Sequence, residues 1–367
     1  MTNKIKFGLF LPDSMNFNFD NSNILSDKNL IIYKDVDQYI KSVHDFKVAV
    51  LDMPIDENSN LVSKDSLSLR KNITENSDRV IIHNMEFHIN DFEYVGNILK
   101  ISNKHIFSIN GVIHSDIPAL NSMEWLTSTA SFYKNNLRDI LQNLNPYCTK
   151  EKYFDFLPGM PRPHRLKVAK FIKEYQLENK ILSGKMFKNE AIDFGNTGFW
   201  PEELNKNYDL TNSFNYTIVN YKGADLIPSQ IIPLDVFNQT CYSIVTETST
   251  DNSFSFYTEK IAKPMLASRL FIVFSGKNYL KGLRSLGFKT FDGIIDESYD
   301  TVEDHEKRWR LAFEQVNYLC SVSQEDILKK ISPIVAHNYR TIMNYDWIRN
   351  FKYFIEDLFL KKLMSKE

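Results

Sequence analysis

The chain has 367 residues, 43% of them hydrophobic, which is enough to bury a large core and suggests two domains of ordinary size. Its 44 basic and 46 acidic residues leave a formal net charge of −2, so no overall field draws it to nucleic acid or to an anionic membrane, and only a local basic groove would serve such a partner. Three scattered cysteines, Cys148, Cys241 and Cys320, exclude a disulfide framework and a cysteine zinc site and suit a reducing, cytoplasmic interior.

The opening MTNKIKFGLFLP has one short apolar run and no small-residue cleavage site, so it reads as a first strand rather than a signal peptide. No apolar stretch approaches the ~20 residues of a membrane-spanning helix, and no membrane span is expected. Ile5–Leu11, Lys47–Met53, Arg79–His83 and His105–Asn110 are short, β-branched or aromatic, and bounded by turn or charged residues, which predicts buried strands. Asp37–His44 and Phe92–Lys100 read as helices between them, the rhythm of a parallel, doubly wound sheet. From Asn121 to Gln142 the pattern is helical and polar, and Asn143–Lys150 has the composition of a linker.

A second series begins with a strand at Tyr153–Leu157 and a turn at Pro158–Pro161. Pro163 then stands where the first turn of a helix tolerates it, and Leu166, Ala169, Ile172 and Tyr175 fall on one face. Tyr242–Thr246 and Leu270–Phe274 read as strands, with helices starting at Glu259 and Tyr279, the latter closed by Gly287. The C-terminal end reads as helices, with Phe351, Phe354, Ile355, Leu358 and Phe359 on one apolar face before Lys361 and Lys362. The expected division is residues 1–150 and 151–330 as two Rossmann-like α/β domains, with 331–367 as helices packing back on them; the same apolar face would serve a dimer, leaving monomer and homodimer open.

The chemistry concentrates between Glu247 and Gly276. Here Glu247 ends a strand, a polar loop follows, and Thr258-Glu259-Lys260 opens a helix, with Thr258 as its cap. Backbone N–H groups and the positive end of a helix favour an anion, Lys260 adds a mobile cation, and Glu259 can accept from sugar hydroxyls, a combination that suits a ribose beside a diphosphate. In the turn between Tyr153–Leu157 and its helix, PRPHRL at 161–166 clusters Arg162, His164 and Arg165. Cations at a helix N-terminus oppose the dipole unless an anion joins them, and two guanidiniums can clamp a diphosphate.

These stretches resemble the nucleotide-sugar signature of the fucosyltransferase-like glycosyltransferases, a GT-B type common in bacteria and large phages. The signature runs Glu-Asn-Ser, a loop, Thr-Glu-Lys, then a small-residue helix and a strand; here it stands as Glu247-Thr248-Ser249, Thr258-Glu259-Lys260, Leu266-Ala267-Ser268 and Phe271-Ile272-Val273, with Thr248 in place of Asn. PRPHRL and GFKTFDGIIDESYD at 287–300 extend the likeness. The resemblance implies a two-domain fold whose Rossmann-like halves face each other across a cleft, with the donor nucleotide-sugar held by Arg162, Arg165, Glu247, Ser249, Thr258, Glu259 and Lys260. Arg165 takes the phosphate-contacting position.

In such a fold the end of the strand Arg79–His83 lies on the acceptor side, and an inverting transferase needs a carboxylate base there. Glu86 is the candidate, with Asp116 and Glu124 behind it. The acidic group Asp296, Glu297, Asp300, Glu303, Asp304 and Glu306 lacks the glycine and ligand spacing of a calcium loop and reads as a solvated loop and first helical turn. No Asp-x-Asp is expected beside a first-domain strand end, so neither a metal nor a cofactor beyond the nucleotide-sugar cosubstrate is called for. The acceptor is a glycan or lipopolysaccharide-type hydroxyl, or a modified base in DNA, which would need a basic, aromatic-lined groove. A non-catalytic nucleotide-sugar-binding protein is the reading from another class.

Overall fold

The protein is represented by a computed structural model. It describes residues 6–11, 30–52, 64–84, 105–109, 111–114, 119–121, 124–135, 141–159, 161–184, 219–221, 224–226 and 231–345. Glu86 and Asp116, the expected helix 92–100 and the apolar face 351–359 lie outside these residues. The chain divides into two compact units, Met1–Met123 with Asp346–Glu367, and Glu124–Tyr345.

In the first unit, β1 (Phe7–Phe10), β2 (Leu30–Tyr33), β3 (Phe46–Asp52), β4 (Arg79–Asn84), β5 (His105–Ile109) and β7 (Ala119–Asn121) form one sheet in the order β2-β1-β3-β4-β5-β7. Every pairing is parallel. The short strand β6 (Gly111–Ile113) falls between β5 and β7 in the chain. Leu9, Val48, Ala49, Val50, Val80, Ile81 and Ile82 are buried in the middle of the sheet. That is why β3 and β4 read as continuous apolar runs rather than alternating ones.

Helix α1 (Val36–Lys41) starts on Asp35, which accepts from Gln38 N–H at 2.8 Å. Its last carbonyls are held by Lys47 Nζ, which donates to Tyr39 O at 2.6 Å and to Ile40 O and Ser42 O at 3.2 Å. Helix α2 (Lys64–Glu75) precedes β4. The strand β2 was not expected, and it sets Asp35-Val36-Asp37 directly after a strand, contrary to the reading that no such triplet stands there. Asp35 is committed to the cap, and Asp37 is exposed in the first turn of α1.

In the second unit, β8 (Lys152–Phe156), β9 (Ile181–Ser183), β12 (Thr240–Thr246) and β14 (Phe271–Phe274) form a sheet in the order β14-β12-β8-β9, again wholly parallel. Counting strands along the chain, both sheets carry the order second, first, third, fourth. Such an order has a switch point between the first and third strands, where successive crossovers leave for opposite sides. In this sheet the switch lies between β8 and β12.

All seven residues of β12 and all four of β14 are buried. The helices of this unit are α3 (Glu124–Asn135), α4 (Pro163–Glu174), α5 (Leu234–Gln239), α6 (Glu259–Leu266), α7 (Tyr279–Ser285), α8 (His305–Ser321) and α9 (Gln324–Asn344); α5 and α6 pack on β12, α8 on β14, and α3 and α9 on α6. Phe313 on α8 meets Phe171 of α4 at 5.2 Å and Phe274 of β14 at 6.4 Å between ring centroids, tying the helix layer to the sheet. The strands β10 (Val219–Tyr221) and β11 (Ala224–Leu226) make an antiparallel pair, and β13 (Phe254–Phe256) lies in the loop after β12.

Gly287 follows α7 at φ +88°, its N–H on Arg284 O and that of Phe288 on Leu283 O, so the glycine closes the helix as expected. The polar run 143–150 is fastened within this unit: Asn238 Nδ2 donates to Asn143 O, and Lys150 and Gln324 exchange bonds of 2.7 and 3.1 Å. In the acidic group, the solvated reading fails at Glu297 and Asp300, which are buried. Asp300 accepts the Leu280 and Lys281 N–H groups at 2.9 Å each, and Glu297 accepts from Phe291 N–H, Thr290 and Arg284. A carboxylate surrounded by main-chain donors is satisfied without water.

Candidate functional site

The turn leaving β8 into α4 and the loop leaving β12 into α6 flank the switch point, where open α/β sheets bind ligands. Three side chains of the first turn of α4 reach across it to the end of β12. Arg162 Nη1 donates to Thr248 O at 2.8 Å, His164 Nε2 to Glu247 O at 2.8 Å, and Arg165 Nη2 to Thr246 O and Glu247 O at 3.3 Å each. Arg162 is the N-cap and is exposed, whereas His164 and Arg165 are buried. No acidic residue stands in this first turn.

Burial, reinforced by Arg165, pulls His164 down to about 3, so the ring is neutral and its Nε2–H serves the carbonyl. Burial and the neighbouring Arg162 lower Arg165 to about 10, which leaves it charged at neutral pH. Between the ordinary imidazole value near 6.5 and about 3, the unfolded chain binds a proton at His164 that the folded chain does not. The contribution of His164 is therefore fully present above pH 6.5 and falls by about 1.4 kcal/mol per pH unit on acidification. Replacing it by Gln, which keeps a donor for Glu247 O, should remove about 2 kcal/mol of the stability loss between pH 7 and 5; denaturant titrations of both proteins at the two pH values measure it. Equal losses would show that the neutral buried ring is not the cause.

Glu247, at the end of β12, is completely buried. Its Oε2 accepts from Thr258 Oγ1 at 2.7 Å and Thr248 N at 3.2 Å, and its Oε1 from Tyr279 OH at 2.7 Å and Thr258 N at 3.3 Å. Four donors fill the acceptor capacity of a carboxylate. Burial raises its pKa, although Lys260, Thr258 and Tyr279 act the other way. The same loop is pressed against the end of β14: a Cβ on Gly276 would stand 1.8 Å from Asp251 O, so only glycine fits there without moving backbone. Ser275 Oγ donates to Ser249 O at 2.9 Å, and the Ser249 hydroxyl accepts from Asp251 N–H at 3.2 Å, which turns Ser249 to its own loop.

Thr258 caps α6, its Oγ1 accepting from Lys260 N–H at 3.2 Å while donating to Glu247. Lys260 Nζ, on a side chain 25% exposed, lies 2.6 Å from Glu259 Oε1, 3.2 Å from Thr248 Oγ1 and 3.5 Å from Thr258 Oγ1. Burial drives the Glu259 pKa upward, but Lys260 and Lys263 outweigh it and the net shift is downward, so this carboxylate is ionised. Lys263, one turn further, is brought down to about 8 by burial, with Glu259 opposing.

The structure thus brings together Arg162, Arg165, Glu247, Thr258, Glu259 and Lys260, from segments more than 80 residues apart in sequence. Four cations, Arg162, Arg165, Lys260 and Lys263, face two carboxylates, Glu247 and Glu259, one of them pushed toward neutrality. Cations crowd the starts of two helices, where the dipole already supplies positive potential, so an anion completes the electrostatics. Glu124 is the first residue of α3, in the second unit, and its side chain lies outside the description. Sequence reasoning missed Tyr279 and Lys263 as neighbours of this cluster; Lys263, one helical turn from Glu259, was within reach of a spacing argument.

No family model matches the sequence, and no curated protein does. Among solved structures, the chain is similar to an alpha-glucosyltransferase in complex with UDP and a 13-mer DNA containing a central A:G mismatch, at 10% identity and a TM-score of 0.49, over 97% of this chain and 99% of that one. It is also similar to an alpha-glucosyltransferase in complex with UDP and a 13-mer DNA containing a HMU base, at 9% identity and a TM-score of 0.45 over the same shares. At these identities and TM-scores the likeness bears on neither substrate nor residue roles.

Proposed function

We propose that the protein is a metal-independent glycosyltransferase of the GT-B type, and that its second unit binds the diphosphate of a nucleotide-sugar donor at the switch point between β8 and β12. The observation that carries this reading is the meeting of Arg162, Arg165 and Lys260 at the starts of α4 and α6, where two helix dipoles and three cations converge against Glu259, paired with Lys260, and Glu247, turned inward on Thr258 and Tyr279. Arg162 and Lys260, the exposed and part-exposed cations, contact phosphate oxygens. Arg165 holds the end of β12 and adds charge from beneath, and Glu259 takes a ribose hydroxyl beside Lys260. Glu247, with its acceptor sites filled, shapes the loop rather than touching the donor.

In the reaction, an acceptor oxygen forms a bond to the anomeric carbon while the bond to the diphosphate oxygen breaks. The acceptor proton passes to a carboxylate, for which Glu86, Asp116 and Glu124 are the candidates. The departing nucleoside diphosphate gains negative charge, which the fixed cations and helix N-termini stabilise without reorganisation.

UDP-sugars and GDP-sugars incubated with the protein in EDTA should release nucleoside diphosphate slowly, and faster when a hydroxyl acceptor is added. Panels of glycans and of duplex DNA carrying hydroxymethylated bases test the acceptor; UDP and DNA are the molecules held in the two structures described above. Turnover abolished by EDTA and restored by manganese would contradict the metal-independent assignment, and donor binding without turnover across both panels would favour a binding protein.

A further inference from the structure

We propose that Tyr279 is a positioning residue for the donor site, acting through Glu247 and Thr258 on Lys260. The inference rests on the donor reading above and adds to it a residue that no motif contains.

Tyr279 is the first residue of α7 and is 1% exposed. Its place is fixed from behind: Asp300 accepts the next two N–H groups of the helix, and Asn278 N–H donates to Asp300 O at 2.7 Å. From there it grips the entry to α6 in two ways. Its carbonyl accepts from Tyr257 OH at 2.9 Å with the two rings 4.7 Å apart, and its own hydroxyl donates to Glu247 Oε1 at 2.7 Å. Glu247 holds both the N–H and the hydroxyl of Thr258, and the Thr258 hydroxyl caps Lys260 N–H and lies 3.5 Å from its ammonium.

The hydroxyl is the strongest of the restraints on Oε1, since the other is a main-chain N–H at 3.3 Å. A ring alone would fill the space beside Tyr257 equally well, so packing does not account for the oxygen. Freed from Tyr279, the Glu247 carboxylate turns toward Lys260, whose ammonium lies 3.5 Å from the Thr258 hydroxyl that the carboxylate already holds, and competes with a bound phosphate for it. The donor site is therefore cationic toward a ligand because Tyr279 keeps Glu247 turned inward.

Tyr279→Phe removes one oxygen and keeps the ring. Calorimetric titration of UDP, GDP and inorganic pyrophosphate into the wild type, Tyr279→Phe, Lys260→Ala and the double variant separates a positioning role from a structural one. The expected result is an affinity loss of about five- to tenfold in Tyr279→Phe and less than about twofold when the change is made on Lys260→Ala, because the effect passes through that ammonium. Amide hydrogen exchange without nucleotide should rise in Thr258–Ile261 and not across the sheet. Unchanged affinity in Tyr279→Phe, equal losses in both backgrounds, or faster exchange throughout the unit would overturn the inference while leaving the donor site standing. Absence of binding by the wild type to all three probes would overturn both.

Discussion

Asp155→Ala should destabilise the second unit by about 3–5 kcal/mol and lower its thermal midpoint by roughly 10 °C. Asp155 and Arg269 form a buried pair at 2.9 Å, with side chains 5% and 3% exposed. Arg269 also donates to Phe237 O, Thr240 O, Tyr242 O, Thr240 Oγ1 and Ser243 Oγ, stitching the start of β12 to the segment before β14. Burial raises the Asp155 pKa despite the guanidinium, and burial lowers that of Arg269 despite the carboxylate, so both partners agree that desolvation outweighs their attraction. The pair therefore adds little net stability as a pair. Its rupture is costly because a guanidinium stays behind, buried and uncompensated. Thermal melts of Asp155→Ala and of the Asp155→Leu/Arg269→Met double variant test this: the single change should be the more damaging. A double variant as unstable as the single one would mean that the network of carbonyl contacts, rather than the unpaired charge, sets the cost.

Arg162→Ala and Lys260→Ala should each weaken binding of the donor nucleotide by about 1.5–3 kcal/mol, some ten- to more than a hundredfold, and leave the thermal midpoint of the free protein nearly unchanged. Both side chains reach solvent, and neither fills the core. Arg165→Ala is a different matter, since Arg165 is buried against the end of β12 and its loss should cost stability as well as affinity. Raising the salt concentration should weaken the wild-type complex more than those of the two variants, because each has one phosphate contact fewer to screen. Calorimetry at two salt concentrations checks the pair together. Affinity unchanged in both variants would make Arg162 and Lys260 ordinary surface charges.

Much of this architecture was legible where the physics is local. Buried parallel strands announce themselves as apolar runs, and β1, β3, β4, β5, β8, β12 and β14 fall on the expected segments to within a few residues. Pro163 at the start of α4, Thr258 at that of α6 and Gly287 beyond α7 mark helix ends by backbone requirements that no tertiary context alters. The three-residue strands β9 and β13 are too short for any period to show.

Nor could β12 reveal which way Glu247 faces, because a strand buried on both sides has no alternation to read. The Asp155–Arg269 pair joins residues 114 apart, and Tyr279 meets Glu247 across 32; only the folded sheet brings them together. Glu297 and Asp300 look solvated in sequence because charge predicts exposure, and are buried because main-chain donors await them.

The most direct test of the donor site is a crystal structure of the intact protein with UDP or GDP. The diphosphate should lie between the starts of α4 and α6, with phosphate oxygens about 3 Å from the Arg162 guanidinium and Lys260 Nζ, and Glu247 still turned inward on Thr258 and Tyr279. A nucleotide bound with its phosphates elsewhere, or with Arg162 and Lys260 touching none of them, would contradict the account.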